Sequence, residues 1–230
     1  MIKAILLDFN GVIIDDEPLQ MQAYQEILKD DGIDLTEEDY YLSMGMDDRT
    51  FIETTFRRAE KEISAERIRE INDLKTAKWR AIVDEELPLF GGVENFVKKM
   101  EKSFALGIVS MARREEIEYV LEKTGMRESF SVIVSAEDVT NCKPNHECYH
   151  KGFNLIDARR TEAGSNPIVH TDCLVIEDSP QGIMAGKKAG LKTLGITNTV
   201  SADELRRAGA DWVTKNLDDW MPDSIRRVFV

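Results

Sequence analysis

Asp8 closes the apolar run Ala4-Ile5-Leu6-Leu7, and a glycine turn at Gly11 follows it. A carboxylate delivered to a strand end suits a nucleophile, because it can attack an electrophile and leave a covalent acyl intermediate. Position 10, where an acid able to give and take a proton would complete the device, holds Asn10. An amide hydrogen-bonds but transfers no proton. Ser110 follows the apolar pair Ile108-Val109, Lys143 precedes Pro144, and Glu177-Asp178 follow Val175-Ile176.

Residues so far apart in sequence need a scaffold that gathers them. The short apolar segment from Ile5 to Phe9 reads as a buried strand. From about Glu17 to Glu86 strand signals vanish and helical apolar stripes replace them, such as Leu19, Ala23, Ile27, Leu28 and Ile63, Ile68, Ile71, Leu74. This block predicts an insert of four or five helices, one of them starting near Ser64. Pro88, Gly91 and Gly92 mark a hinge back to the main domain. A βα rhythm follows: helix 93–102, strand 104–110, helix 113–124 ending at Gly125, strand 132–135, helix 145–154, strand 173–177, helix 181–189 ending at Gly190, and strand 192–196. Residues 157–171 read as a polar surface excursion. Alternating strands and helices predict a parallel sheet covered on both faces. Ligands of such sheets bind beyond the carboxyl ends of the strands, where Asp8, Asn10, Ser110, Lys143, Glu177 and Asp178 fall.

The 230 residues allow a core domain with a smaller companion, and 42% hydrophobic with 32% charged residues is ordinary for a soluble globular protein. A formal net charge of -13 repels nucleic acid and anionic membranes. It permits a small phosphorylated partner where cations are focused locally. No apolar stretch approaches the roughly 20 residues of a membrane span, and the opening run is too short, and carries Asp8, to read as a signal peptide. Cys142, Cys148 and Cys173 form no disulfide framework, which suits a reducing cytoplasm. Cys142, His146, Cys148 and His150 match no standard zinc spacing. Charge and the lack of a heptad seam make a monomer the expectation.

Taken in order, Asp8-Phe9-Asn10-Gly11-Val12, Ile108-Val109-Ser110, Lys143-Pro144 and the run Val175 to Gly186 with Glu177-Asp178-Ser179-Pro180 resemble the four motifs of the haloacid dehalogenase-like superfamily. The resemblance covers essentially the whole chain, and the last motif is the most specific. Asp15-Asp16-Glu17-Pro18-Leu19 resembles the Asp-Ser-Glu-Pro-Leu segment of its helical-cap branch, which includes phosphoglycolate phosphatase-like and beta-phosphoglucomutase-like proteins. The resemblance implies a doubly wound, Rossmann-like α/β core over residues 1–15 and 88–230 and an inserted helical cap over 16–87. It implies a Mg²⁺-dependent phosphatase of small phosphorylated metabolites acting through an aspartyl-phosphate, and the Asn10 departure from it implies a chain crippled in turnover. The alternatives are a beta-phosphoglucomutase-like phosphosugar mutase and a non-catalytic phosphometabolite-binding protein.

By the same resemblance Asp8, Asp178 and the backbone carbonyl of Asn10 ligate Mg²⁺, with Glu177 close by or acting through water. Lys143 offsets phosphate charge and holds the nucleophile. The Ser110 hydroxyl and the N–H groups of Met111 and Ala112 take phosphate oxygens. The family's acid two residues after the nucleophile protonates the leaving oxygen and then deprotonates water, and Asn10 does neither. Three accounts of Asn10 stand open: a substitution engineered to slow turnover, which the intact remainder of the machinery favours, a natural departure in a dead or repurposed member, or a proton supplied by another residue. Arg49, in a turn with Asp47 and Asp48, reads first as a solvated ion pair and second as a fork for a distal phosphate. Glu17 and Gln20 either face the substrate or simply open a helix.

Overall fold

The computed structural model describes residues 1–230. Ala4–Leu7 forms β1, whose four residues are all buried. Burial on both faces explains why this strand reads as a continuous apolar run rather than an alternating one. Four helices follow without an intervening strand: α1 (Glu17–Leu28), α2 (Glu37–Tyr41), α3 (Asp48–Arg58) and α4 (Ala65–Glu85). Thr36, Asp47 and Ser64 cap the last three, each side chain accepting a hydrogen bond from the backbone N–H three residues on. Alternation then begins with α5 (Val93–Met100), β2 (Ala105–Val109), α6 (Arg114–Lys123), β3 (Phe130–Val134), α7 (Glu147–Glu162), β4 (Cys173–Glu177), α8 (Pro180–Lys188) and β5 (Lys192–Ile196). Helix α9 (Ala202–Arg207), β6 (Trp212–Thr214) and α10 (Pro222–Val228) complete the chain.

All strand pairs are parallel and the sheet runs β3-β2-β1-β4-β5-β6. The chain steps from β1 to one side and then returns to the other, so β1 and β4 flank the point where strand order reverses. Loops diverge at such a point and leave a crevice at the carboxyl ends of the strands. Leu7 pairs with both Ile108 and Ile176, which brings the ends of β1, β2 and β4 to one level.

Successive strand residues point to opposite faces. Ile5 and Leu7 join a cluster of 31 buried residues with α5 and α6. Ala4 and Leu6 join a second cluster, of 16, with α7 and Val175. The inserted helices bury their own apolar cluster, including Tyr24, Phe51, Phe56 and Ile71. Trp79 and Val83 of α4 instead join the larger sheet cluster, tying the insert to the sheet.

Two features depart from the sequence reading. Helix α7 runs through the polar stretch to Glu162, burying Phe153 and Ile156 while Ala158, Arg159, Thr161 and Glu162 face solvent. Strand β6 and its flanking helices were not anticipated, since β6 is three residues long with Trp212 about half exposed, and so has no apolar run to betray it.

Candidate active site

Asp8 stands one residue beyond β1, its N–H donating to the Ile176 carbonyl at 3.0 Å. One carboxylate oxygen accepts the Phe9 N–H at 2.8 Å, and the other lies 2.8 Å from Lys143 Nζ. Lys143 also donates to Glu177 Oε1 at 2.6 Å. Burial alone would push the Lys143 pKa down, but the charges of Asp8 and Glu177 outweigh it and hold the ammonium. Glu177 is fully enclosed: Tyr149 donates to Oε1 at 2.7 Å and the Ser179 hydroxyl to Oε2 at 2.9 Å. Burial opposes its charge, yet Lys143 together with the Tyr149 and Ser179 hydrogen bonds offsets this and the pKa falls below the ordinary carboxylate value. A Cβ at Gly182 would overlap the Glu177 carboxyl, so the glycine at this point of α8 makes room for the acid.

Asp178 is buried beside them, and Thr199 donates to its Oδ2. Burial, and next the charges of Glu177 and Asp8, drive its pKa well upward. Asp8 is pushed to about 7, chiefly by burial and then by Glu177, against the pull of Lys143. Gly11, at φ 73°, stands where any Cβ would strike the Asp178 carboxyl.

Ligand oxygens of Asp8, Glu177 and Asp178 all lie within 4.8 Å of one another. Three buried carboxylates against one ammonium leave excess negative charge in a low-dielectric place, which a cation would relieve. An all-oxygen donor set suits a hard ion such as Mg²⁺. Both Glu177 oxygens are taken by protein donors, whereas Asp178 Oδ1 is free. Asp8 likewise has a donor on each oxygen, Phe9 N–H and Lys143, so Asp178 Oδ1 is the one carboxylate oxygen of the three acids without a protein partner.

Ser110 follows β2, with its N–H bonded to the Val134 carbonyl at 2.9 Å. Its hydroxyl accepts the Ala112 N–H at 3.2 Å and donates to Asn10 Oδ1 at 3.5 Å. Ser110, Met111 and Ala112 line one cavity with Asp8, Asn10 and Lys143. Asn10 turns its Nδ2 to Asp16, 2.8 and 3.1 Å from the two carboxylate oxygens. Asp16 is fully buried and also accepts from Gln20 at 3.0 Å and Trp79 at 2.6 Å. Burial raises its pKa, while those three donors favour the carboxylate.

The inserted helices roof this cavity with Glu17, Gln20, Tyr40, Asp48 and Lys75, and α6 adds Glu116. Lys75 Nζ lies 2.7 Å from Asp48 and 2.9 Å from Glu116, at 1% side-chain exposure. Glu116 Oε2 is buried without a hydrogen-bond partner. Lys75, Asp48, Glu116 and Tyr40 were missed by sequence reasoning. One signal existed: Lys75 lies four residues from both Ile71 and Trp79, on the buried stripe of α4. Arg49 forms a solvated ion pair, the first of its two readings, and does not line the cavity as a phosphate fork would. Its side chain is 73% exposed and pairs with Glu53 at 2.9 Å, away from the cavity. It neighbours Asp48 on α3, and successive helix residues do not face the same way.

The structure is that of a parallel α/β protein with a cation-suited carboxylate cluster at its strand-order reversal, roofed by inserted helices. Residues 5–196 match the sequence model of the haloacid dehalogenase-like hydrolases, and the chain belongs to that family. Among its relatives, the putative phosphatase YhcW of Bacillus subtilis is 29% identical over 87% of this chain and 86% of its own. The phosphorylated carbohydrates phosphatase of Thermotoga maritima is 28% identical, covering 90% and 92%. The validoxylamine A 7'-phosphate phosphatase of Streptomyces hygroscopicus is 26% identical, covering 95% and 96%. A beta-phosphoglucomutase structure from Clostridium difficile superposes with a TM-score of 0.84 over 100% and 97% of the two chains at 20% identity, a likeness of fold.

Proposed function

We propose that this chain is a Mg²⁺-dependent phosphatase of small phosphorylated metabolites, with Asp8 as the residue that takes the phosphoryl group. The observation that carries the reading is the Asp8 carboxylate held 2.8 Å from Lys143 inside the Asp8–Glu177–Asp178 cluster. Three relatives named as phosphatases, each aligned over most of the chain, support it. Mg²⁺, held by Asp8, Asp178 and the Asn10 carbonyl, would supply charge neutralisation between the anionic nucleophile and the anionic substrate. Asp8 needs no reorientation, since Phe9 N–H and Lys143 fix its two oxygens. Lys143, the Ser110 hydroxyl and the backbone N–H of Met111 then meet the phosphate oxygens. Residues 16–87 act as a cap moving on the segments 15–17 and 87–92, admitting substrate when open and excluding water when closed.

Hydrolysis fits better than phosphosugar mutation. A bisphosphate intermediate needs a second cationic subsite, yet the cavity's remaining cation, Lys75, is shared between Asp48 and Glu116. Asn10 is the feature that favours a binding protein without turnover. Phosphate release from sugar phosphates, phosphoglycolate and aryl phosphates decides between these. The phosphatase reading expects turnover that needs Mg²⁺ and disappears in Asp8→Asn. Ligand binding without turnover, in a chain whose proton-transferring acid has also been restored at position 10, contradicts it.

A further inference from the structure

The family resemblance puts a proton-transferring acid at position 10, and this chain has an amide whose Nδ2 is committed to Asp16. The geometry points to Glu17 as the group that protonates the leaving oxygen and then takes the proton of the attacking water. The assignment rests on the phosphatase reading above.

The other carboxylates near the cavity are occupied. Asp8 is the nucleophile, and Asp178 belongs to the cation cluster. Asp48 and Glu116 both pair with Lys75. Asp16 is enclosed behind Asn10, Gln20 and Trp79 and does not line the cavity. Glu17 does line it, together with Asp8, Asn10, Ser110 and Lys143. The Tyr40 hydroxyl donates to Glu17 Oε2 at 2.6 Å, which fixes the carboxyl group and leaves Oε1 without a protein partner. Oε1 is therefore the atom that can present a proton to a ligand.

The groups acting on Glu17 come from every side: Asp16 on its own turn, Tyr40 and Tyr41 from α2, Asp8 and Asp178 from the sheet, and Lys75 from α4. Burial, then the Asp16 charge, lifts its pKa to about 7 against the Tyr40 hydrogen bond and Lys75. An acid poised there both gives and accepts protons at neutral pH. In the first step an Asp8 oxygen bonds to phosphorus as the bond to the leaving oxygen breaks, and that oxygen takes the Glu17 Oε1 proton. In the second step the Glu17 carboxylate accepts a proton from water, the water oxygen bonds to phosphorus, and the Asp8–phosphorus bond breaks. Phosphate leaves and both side chains return to their starting states.

The test compares Glu17→Gln, Tyr40→Phe and the double variant Asn10→Asp/Asp16→Ser with the unaltered chain, in Mg²⁺, on phenyl phosphate and 4-nitrophenyl phosphate. The nitrophenolate departs without a proton, and phenolate benefits from one. Glu17→Gln is expected to lose roughly 10²- to 10⁴-fold in kcat/KM on phenyl phosphate and far less on the nitrophenyl ester. The alkaline limb of the kcat/KM profile on phenyl phosphate should vanish in Glu17→Gln. It should move upward in Tyr40→Phe, because the hydroxyl stabilises the carboxylate. Equal losses on both esters, as a merely structural role would give, or no loss, overturn the assignment. So does an unaltered chain inert on both esters while the double variant turns over. If no form cleaves either ester, the phosphatase reading itself fails.

Discussion

Asn10 and Asp16 are a matched pair. The amide spans both oxygens of a fully buried carboxylate, at 2.8 and 3.1 Å. Where the resembling segment has Ser, this chain has Asp16, and where the family has the acid, it has Asn10. Restoring the acid alone sets two carboxyl groups against each other, and one of them must stay protonated. Asn10→Asp is therefore expected to lower stability by about 2 kcal/mol, and Asp16→Ser in the same chain should recover most of it. Urea unfolding of the single and double variants checks this, and additive losses would contradict the pairing. At this scale the motifs made Asp8, Ser110, Lys143, Glu177 and Asp178 legible, because each follows an apolar run or precedes Pro144 at family spacing. The Asn10–Asp16 bond was not legible, since spacing carries no side-chain direction.

Helix α4 joins roof to sheet. Its Lys75 and Thr76 both bond to Glu116 of α6, and its Trp79 bonds to Asp16. Lys75 sits fully desolvated between two acids, and their charges raise its pKa despite burial. Lys75→Met leaves Asp48 and Glu116 facing each other unpaired, which should cost about 3–5 kcal/mol. A loss of that size in the unfolding free energy from urea titration is expected, and adding Glu116→Gln should return part of it. A change under 1 kcal/mol, roughly the value of an exposed pair, would show that the bridge does not hold the closed roof. The strands with strong apolar runs and the helical insert were legible from periodicity. The contacts that close the roof were not, because residues 40 apart meet there only through tertiary packing.

Across the whole molecule the formal net charge is -13, and three of the acids, Asp8, Glu177 and Asp178, are buried together. Asp8 rises from its ordinary 3.8, and Glu17 from 4.5, to about 7, in both cases chiefly through burial. Folded-state values above the unfolded ones give a contribution that is full below the unfolded pKa and lost as pH rises through about 7. Without divalent cation, Tm should fall between about pH 5 and 8, and Mg²⁺ should restore more of it at the alkaline end. A metal-free Tm that rises across this window would contradict the burial of these acids. Acid-quenching the chain during turnover of 4-nitrophenyl phosphate in Mg²⁺, followed by peptide mass analysis, reads the chemistry itself. One phosphoryl group on the peptide carrying Asp8, absent in Asp8→Asn, is the predicted result. Turnover with no phosphorylated Asp8 under quench, or a phosphoryl group on another residue, would contradict the assignment of Asp8 as nucleophile.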